Sequence, residues 1–440
     1  MLPNSNNTVT VLSMNTPHPD NLPRTQLHND LIAEVLSWLP VKSLTRLKCV
    51  CKSWNSLIIS DQTFIKLHLH RSALHGKPHL LLQRENSHHD HREFCVTHLS
   101  GSSLSLVENP WISLAHNPRY RLKKGDRYHV VGCCNGLICL HGYSVDSIFQ
   151  QGWLSFWNPA TRLMSEKLGC FCVKTKNFDV KLSFGYDNST DTYKVVFFEI
   201  EKIRRASLVS VFTLDGCNGW NGWRDIQNFP LLPFSYDDWG VNDGVHLSGT
   251  INWMTSRDKS APYYNPVTIT VEQLGILSLD LRTETYTLLS PPKGLDEVPS
   301  VVPSVGVLMN CLCFSHDLEG THFVIWQMKK FGDAKSWTQL LKVRYQDLQR
   351  EPLHSMFYCH YQLFPLCLHD GDTLILASYS DRYDGNEAIL YDKRANTAER
   401  TALETESKYI LGFSSFYYVE SLVSPLRVRS STKVAKLNLC

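Results

Sequence analysis

The sequence predicts an α+β protein of two parts: a small helical module near the N-terminus and a large all-β region with the pattern of a propeller. Between residues 29 and 70, apolar residues recur at the spacing of helices. After residue 75 the pattern changes to apolar runs of about four to seven residues, separated by Gly, Pro, Asn and Asp. A loose period of about 40–60 residues favours propeller blades over a sandwich or a barrel.

Length and composition indicate a globular chain of more than one domain with loose ends. The chain has 440 residues, more than one ordinary core accommodates. The first 25 residues are rich in Asn, Thr, Pro and Ser, so we expect a disordered tail over 1–25, and a second loose tail over 424–440. The predicted domains are therefore the helical module, residues 26–70, and the β region, residues 75–423.

The helical module begins with an amphipathic segment that ends at a proline. Asn29 can cap the first turn, and Pro40 ends the helix because proline has no N–H to donate and disfavours a helical residue before it. Three further helices follow, the third carrying Val50 and the fourth capped by Asp61. Short helices cannot hide all of the apolar side chains in this module, so we expect part of the set to be covered by a partner.

The β region contains recurring units that each begin with a Gly-bounded apolar strand. Five units begin near residues 130, 182, 244, 305 and 366, and three of their later strands lead into similar polar turns at 158–161, 280–283 and 392–397. A sixth unit combines early strands at 79–82, 94–97 and 104–107 with a late strand at 409–413. Such a pairing closes the ring without an open edge, so the sequence predicts about six blades.

Charge and cysteine usage argue against several other classes of protein. The 44 basic and 42 acidic residues nearly balance, which leaves no field to recruit nucleic acid or an anionic membrane surface. We see no run of about 18 apolar residues that predicts a membrane span. Cysteines in apolar runs without an export signal predict free thiols inside the cell, in the nucleus, the cytoplasm or both.

Motifs for catalysis or for metal binding are weak in this sequence. The histidine tract at 88–91 lies in a polar loop without the paired spacing of a zinc site, so we predict no metal and no cofactor. There is no phosphate-binding Gly loop, nucleophile elbow or paired-carboxylate signature, which predicts a protein that is not an enzyme. One imperfect feature, residues 315–321, resembles the Asp-box turn of sialidase propellers and keeps a glycan-processing enzyme as an alternative.

Residues 30–58 resemble the F-box, through LPVKSL at 39–44 and CVCKSW at 49–54. Downstream, GCCNGLIC at 132–139, WNPATR at 157–162 and FGYD at 184–187 resemble the F-box-associated domain. The combination is similar to the large plant family that joins an F-box to an F-box-associated or kelch-like propeller. That family usually opens its F-box with Leu-Pro, where this chain has Leu27-His28, a departure that weakens the first expected adaptor contact.

The resemblance implies a function as well as a fold. It implies that the F-box binds a Skp-type adaptor and, through it, a cullin-RING ubiquitin ligase of the SCF type, while the propeller binds an unidentified protein to be ubiquitinated. A scaffold whose F-box does not engage a ligase remains a second alternative. The residues predicted to bind the adaptor or support its contact are Leu31, Ile32, Val35, Leu36, Leu39, Pro40, Val41, Leu44, Val50 and Trp54.

Three aromatic loops of the β region are candidates for substrate binding. Aromatic side chains beside acidic groups are typical of residues that contribute most of the binding energy at protein interfaces. The candidates are Phe234, Tyr236 and Trp239 in the first loop, Tyr263 and Tyr264 in the second, and Trp220 and Trp223 in the third. The end of the ring on which each loop lies cannot be assigned from the pattern, and the substrate itself cannot be read from it.

Overall fold

The computed structural model describes the helical module, most strands of the β region and part of the connections between them. The described residues are 29–75, 79–86, 91–100, 103–105, 112–113, 127–145, 149–174, 178–201, 207–214, 222–234, 244–259, 264–350, 361–369, 371–380, 387–401 and 414–426. Both predicted tails lie outside this set, apart from residues 424–426.

Four helices form the helical module, as the apolar periodicity predicts: α1 Asn29–Leu36, α2 Val41–Leu47, α3 Lys52–Ser60 and α4 Gln62–His75. Pro40 has an extended backbone and sits immediately before α2. The Asp61 carboxylate accepts a hydrogen bond of 3.0 Å from the backbone N–H of Phe64, which is the cap predicted for the fourth helix. Val50 lies in the turn before α3 and not on that helix, because α3 begins only at Lys52.

The remainder of the described chain consists almost entirely of strands. They are β1 His79–Asn86, β2 His91–Ser100, β3 Ser103–Ser105, β4 Ile112–Ser113, β5 Arg127–Cys134, β6 Leu137–Val145, β7 Phe149–Asn158, β8 Leu163–Met164, β9 Leu168–Lys174, β10 Phe178–Asp187, β11 Thr192–Glu201, β12 Ser207–Leu214, β13 Trp223–Asp225, β14 Val245–Leu247, β15 Thr250–Ser256, β16 Leu274–Asp280, β17 Tyr286–Leu289, β18 Ser304–Leu308, β19 Cys311–Leu318, β20 His322–Met328, β21 Trp337–Arg344, β22 Tyr361–His369, β23 Thr373–Ser380, β24 Glu387–Asp392, β25 Thr397–Thr401 and β26 Ser414–Tyr418.

The described strands form six antiparallel sheets whose first strands surround a common axis. Four sheets have the simple orders β10–β13, β14–β17, β18–β21 and β22–β25; a fifth holds β5–β9, and the sixth has the order β26-β1-β2-β3 with β4 beside β2. The strands β5, β10, β14, β18, β22 and β26 contact one another in succession, and β26 contacts β5 again. This arrangement is that of a propeller-like ring.

The ring is closed by pairing one of the last strands of the chain with one of the first. β26 lies antiparallel to β1, with Tyr418 opposite His79 and Ser414 opposite Gln83. The sequence places the closing strand at 409–413, which lies outside the described residues, and the pairing partner is instead Ser414–Tyr418. This pairing completes the sixth sheet with strands from both ends of the described β region, and the sheet edges that remain are the short ones of a propeller-like ring.

The core lies between neighbouring sheets, and for that reason the middle strands read as continuous apolar runs. Phe156 of one sheet packs against Phe184 and Phe212 of the next, with ring centroids 5.7 and 6.4 Å away. Trp253 is fully buried against Phe198 in the following interface.

The hairpins of the innermost strands identify one end of the ring, here called the module face. Three of these turns, Asn135–Gly136, Ser248–Gly249 and Met309–Asn310, have two consecutive residues with positive φ, the pattern of two-residue hairpins. Because strands alternate in direction, the turn between β7 and β8 lies on the same end. The helical module packs here, against Ala160 of that turn and against Leu422 and Val423, which follow β26.

Candidate adaptor-docking surface

Helix α1 carries apolar side chains on two different sides. Leu31 is 55% exposed and Val35 is 64% exposed, and their spacing of four residues puts them on one stripe. On the other side, Ile32 is half-buried and Leu36 is buried. A surface helix of an isolated domain normally has one apolar stripe, so the second stripe is surface left for a partner.

Trp38 extends the exposed stripe beyond the end of α1, although the sequence prediction did not include it. It lies seven residues after Leu31 and three after Val35, and it is 55% exposed. The Arg71 guanidinium lies 4.4 Å from the centre of its ring and donates a hydrogen bond of 2.8 Å to the carbonyl oxygen of Glu34. This cation–π contact orients the indole on the surface. Spacing alone signals Trp38, since i, i+4 and i+7 share a helix face.

The ten residues predicted for adaptor binding separate into three groups in the structure. Leu31, Val35, Pro40 and Val50 are exposed, whereas Ile32, Leu39 and Trp54 are half-buried. The remaining three, Leu36, Val41 and Leu44, are at most 3% exposed and form the interior of the module together with Ile58, Phe64 and Ile65. Those three side chains therefore support the surface from below and are not themselves available for contact.

Helix α4 is tied to the segment that leads from α1 into α2. His68 is 1% exposed, and its Nε2 lies 3.0 Å from the carbonyl oxygen of Leu39. This contact makes Nε2 the protonated nitrogen of the neutral ring. Burial lowers the pKa of His68, although the hydrogen bond to Leu39 acts in the opposite direction. The neutral imidazole thus holds the backbone just before Pro40 beneath the exposed stripe.

Val50 stands between two exposed thiols at the start of α3. Cys49 and Cys51 are free and exposed. Hydrogen bonds from the Ser53 side chain and from the Trp54 backbone lower the pKa of the Cys51 thiol. The turn therefore adds a second, partly polar patch next to the helix N-terminus.

Within the described part of the chain, the residues predicted to bind a substrate do not form a common surface. Phe234 is 2% exposed in the core, which corrects its assignment as a contact residue. Tyr264 packs edge-on to Phe234 at 5.6 Å and donates to the carbonyl oxygen of Pro299. Trp223 is half-buried, and its indole N–H donates a hydrogen bond of 2.8 Å to the carbonyl oxygen of Gly169. Tyr236, Trp239, Tyr263 and Trp220 lie outside the described residues.

Asp317, the carboxylate of the turn that resembles an Asp-box, has a structural role in this fold. It accepts hydrogen bonds from the Ser300 hydroxyl at 2.7 Å, from the Val301 N–H at 3.0 Å and from the Gly320 N–H at 3.2 Å. These bonds attach the connection before β18 to the hairpin after β19. Within the described residues, no three His, Cys, Asp or Glu side chains cluster as a metal site would require, and no described helix is long and apolar enough to cross a membrane.

A small helical module with an exposed apolar stripe, fixed to one face of a propeller-like ring, defines the class of a two-part binding adaptor. Comparison with known families agrees with that class: the model of the F-box domain matches residues 25–66, and the model of the F-box associated beta propeller domain matches residues 87–410. The chain belongs to the family of F-box proteins with an F-box associated beta propeller. Proteins of this kind act in general as substrate adaptors of SCF-type ubiquitin ligases.

Its relatives include plant proteins of similar organisation. The F-box/kelch-repeat protein At3g23880 of Arabidopsis thaliana is 28% identical over 74% of this chain and 80% of its own length. F-box protein At1g11270 of the same plant is 27% identical over 72% of this chain and 92% of its own length. Among solved structures, the beta-propeller domain of the Trilobed protease from Pyrococcus furiosus has a TM-score of 0.32 at 8% identity, covering 65% of this chain and 73% of that chain.

Proposed function

We propose that this protein is the substrate-recognition subunit of an SCF-type cullin-RING ubiquitin ligase. In this proposal the exposed stripe Leu31, Val35 and Trp38, with Pro40 and Val50 beside it, binds a Skp-type adaptor. The propeller binds a protein to be ubiquitinated and brings it near the ubiquitin-loaded enzyme of the complex. Catalysis by the chain itself is then not required, because proximity supplies the rate advantage.

One observation carries the adaptor assignment: six large apolar side chains are exposed within a module of only four helices. They are Leu31, Val35, Trp38, Val50, Ile59 and Leu74, each more than 40% exposed. Covering about 400 Å² of such surface at about 25 cal/mol per Å² gives roughly 10 kcal/mol before the entropy of association is subtracted. Only the part of this free energy that exceeds the cost of association appears as affinity.

The substrate is proposed to bind the end of the ring opposite the module face. The helical module already covers part of the module face, through its contacts with Ala160 and Leu422. The connection after β13 and the loop after β15 both leave their strands at the opposite end, and these two segments carry Tyr236, Trp239, Tyr263 and Tyr264. The loop after β12 carries Trp220 and leads to Trp223, the first residue of β13. It leaves from the module face, which makes it the weaker candidate.

The intracellular location proposed from the free thiols is consistent with a ubiquitin ligase of the nucleus or the cytoplasm. Ten cysteines whose side chains the structure describes are free thiols, and burial raises the pKa of Cys133 and Cys367, each to about 12. Such thiols are inert hydrophobic side chains in a reducing compartment.

Co-purification of the full chain with a Skp-type adaptor and a cullin tests the proposal. Three chains are compared: wild type, the double variant Leu31→Asp/Val35→Asp, and Leu208→Asp as a matched control. Leu208 is 46% exposed on β12 of the propeller, so the control places an aspartate at an exposed leucine away from the module. We expect the adaptor with wild type and the control only. Absence of the adaptor from the wild-type chain would favour the scaffold alternative, and equal capture by all three would reject the docking stripe.

A further inference from the structure

The last described segment of the chain, Val419–Leu426, connects the closing strand of the ring to the interior of the helical module. It is called the strap below. It follows β26 directly, whose pairing with β1 closes the sixth sheet. Three of its residues, Ser421, Leu422 and Pro425, are buried, although the segment has no regular secondary structure. The backbone polar groups of a buried, irregular segment need hydrogen-bond partners from neighbouring parts of the chain.

The propeller holds the strap through one asparagine of the WNPATR motif. The Asn158 side-chain amide donates to the carbonyl oxygen of Ser421 at 3.0 Å and to that of Val423 at 2.7 Å. Its side-chain oxygen accepts from the backbone N–H of Ala160 at 3.0 Å. Asn158 is fully buried, so these bonds satisfy backbone groups that would otherwise be buried without partners.

The hairpin turn at Gly136 fixes the strap from a second side. Gly136 has a φ of 74°, and a Cβ at this position would collide with the carbonyl oxygen of Val419 and with the side chain of Ser421. The backbone of the innermost hairpin therefore approaches the strap as closely as a residue without a side chain allows.

The helical module receives the strap through Leu422. This side chain is 6% exposed and belongs to the same apolar cluster as Leu36, Val41 and Leu44. Val423 packs at the edge of that cluster. An exposed ion pair of 2.9 Å between Lys66 of α4 and Asp191 of the propeller lies at the same boundary, but such pairs contribute little to stability. The apolar contact of Leu422 is therefore the principal attachment.

A module of four short helices has little interior of its own, so one inserted leucine is a large fraction of its core. Residues near position 422 follow β26 immediately in the chain, so the pairing of β26 with β1 places them beside the module. Closure of the ring and completion of the module are thus coupled through a segment of a few residues.

We propose that the strap completes the core of the helical module and fixes that module on the module face, so that the docking stripe reaches its final form only after the propeller has closed. The inference about docking rests on the proposed function, whereas the structural coupling does not. A chain with an open ring lacks the Leu422 contact and presents an incomplete module. Leu422 and Asn158 are therefore positioning residues for adaptor binding.

Hydrogen exchange on the purified full-length chain, without any adaptor, tests the coupling. Leu422→Asp and Leu422→Ala are compared with Leu426→Asp, because Leu426 belongs to the same segment but is 46% exposed. We expect amides of α1 and α2 to exchange at least about tenfold faster in both Leu422 variants, with β16 unchanged, and wild-type rates in Leu426→Asp.

Two results would overturn the inference: wild-type exchange in α1 and α2 of both Leu422 variants, or equal acceleration in α1 and β16 of both variants. The second would assign Leu422 to the stability of the propeller alone. If Leu422→Asp disturbs β16, the milder Leu422→Ala variant decides between coupling and general destabilisation. Because no adaptor is present, failure of the ligase proposal would leave this test unaffected.

Discussion

Leu31 and Leu36 lie on different sides of the same two-turn helix, the first 55% exposed and the second 3% exposed. When a short surface helix is apolar on two sides and the fold covers only one, the other is surface available to a partner. The module and the strap cover the side of Leu36, and the proposed adaptor covers the side of Leu31. The two sides should therefore respond differently to substitution.

Substitutions on the two sides of α1 distinguish residues that contact the adaptor from residues that support the fold of the module. We expect Val35→Asp to change the free energy of unfolding by less than about 0.5 kcal/mol, because the side chain is exposed. Leu36→Ala should lower the stability of the module by about 2–5 kcal/mol, because it leaves a cavity. Hydrogen exchange of the helix amides, measured at increasing denaturant, gives both free energies. Equal destabilisation by the two substitutions would show that Val35 is part of the core.

Two glycines with similar backbone angles test the close approach of the strap. Gly136 has a φ of 74° and Gly371 a φ of 77°, but nothing lies within 4 Å of a Cβ at Gly371. Both alanine variants carry the strain of a positive φ, about 1 kcal/mol. We expect Gly136→Ala to lose about 1–3 kcal/mol more than Gly371→Ala, because its Cβ displaces the strap. Comparable thermal unfolding of the two variants would contradict this packing.

The buried pair of Asp187 and Lys194 predicts a defined pH dependence. The Lys194 Nζ lies 3.4 Å from the carboxylate, and both side chains are less than 10% exposed. Burial acts to raise the pKa of Asp187 most strongly, but hydrogen bonds from Ser189 and Thr190 and the charge of Lys194 together hold it below the ordinary 3.8. The stabilisation is therefore present above about pH 3.8 and is lost as the pH falls through the lower folded-state pKa.

Asp187→Asn should reduce the free energy of unfolding by about 2–3 kcal/mol at pH 7, because it leaves Lys194 with one fewer buried anion. The deficit relative to wild type should shrink as the pH is lowered below about 3.8. Denaturant melts at several pH values measure this difference. A deficit independent of pH would mean that the charge of Asp187 contributes nothing.

His68 predicts loss of module stability under mildly acidic conditions. Its pKa is lowered below the ordinary 6.5 by burial, so the unfolded chain binds a proton more readily than the folded one. Stability should therefore fall as the pH drops below about 6.5. His68→Gln keeps a donor toward Leu39 but cannot titrate. Between pH 7.5 and pH 5.5, hydrogen exchange of α4 should report a larger loss of stability in wild type than in this variant. Identical losses would remove His68 as the cause.

Local features of the fold were predictable because their causes are local. Asp61 caps α4 as predicted. Pro40 was predicted to end the first helix, but α1 already ends at Leu36 and Pro40 instead precedes the first residue of α2. The recurring polar turns are also local: the Asp280 carboxylate accepts from the N–H groups of Arg282 and Thr283, and Asp392 does the same with Arg394 and Ala395. These are side-chain turns that reverse the chain between two outer strands.

Features that depend on distant parts of the chain were not predictable in the same way. Periodicity predicted one wide apolar stripe on α1 but not which part of it faces the core, because the answer depends on α2, α4 and Leu422. Phe234 belongs to a segment whose composition is typical of a contact loop, and yet its side chain fills a core between two sheets. Aromatic side chains serve both purposes, and only the three-dimensional surroundings distinguish them.

Titration of the purified full-length protein with a Skp-type adaptor tests the central claim most directly. Isothermal calorimetry should give a saturable complex for wild type and for Leu208→Asp, and an affinity at least about tenfold weaker for Val35→Asp with an unchanged unfolding midpoint. Equal affinities of wild type and Val35→Asp would contradict the assignment of the Leu31, Val35 and Trp38 stripe as the docking surface.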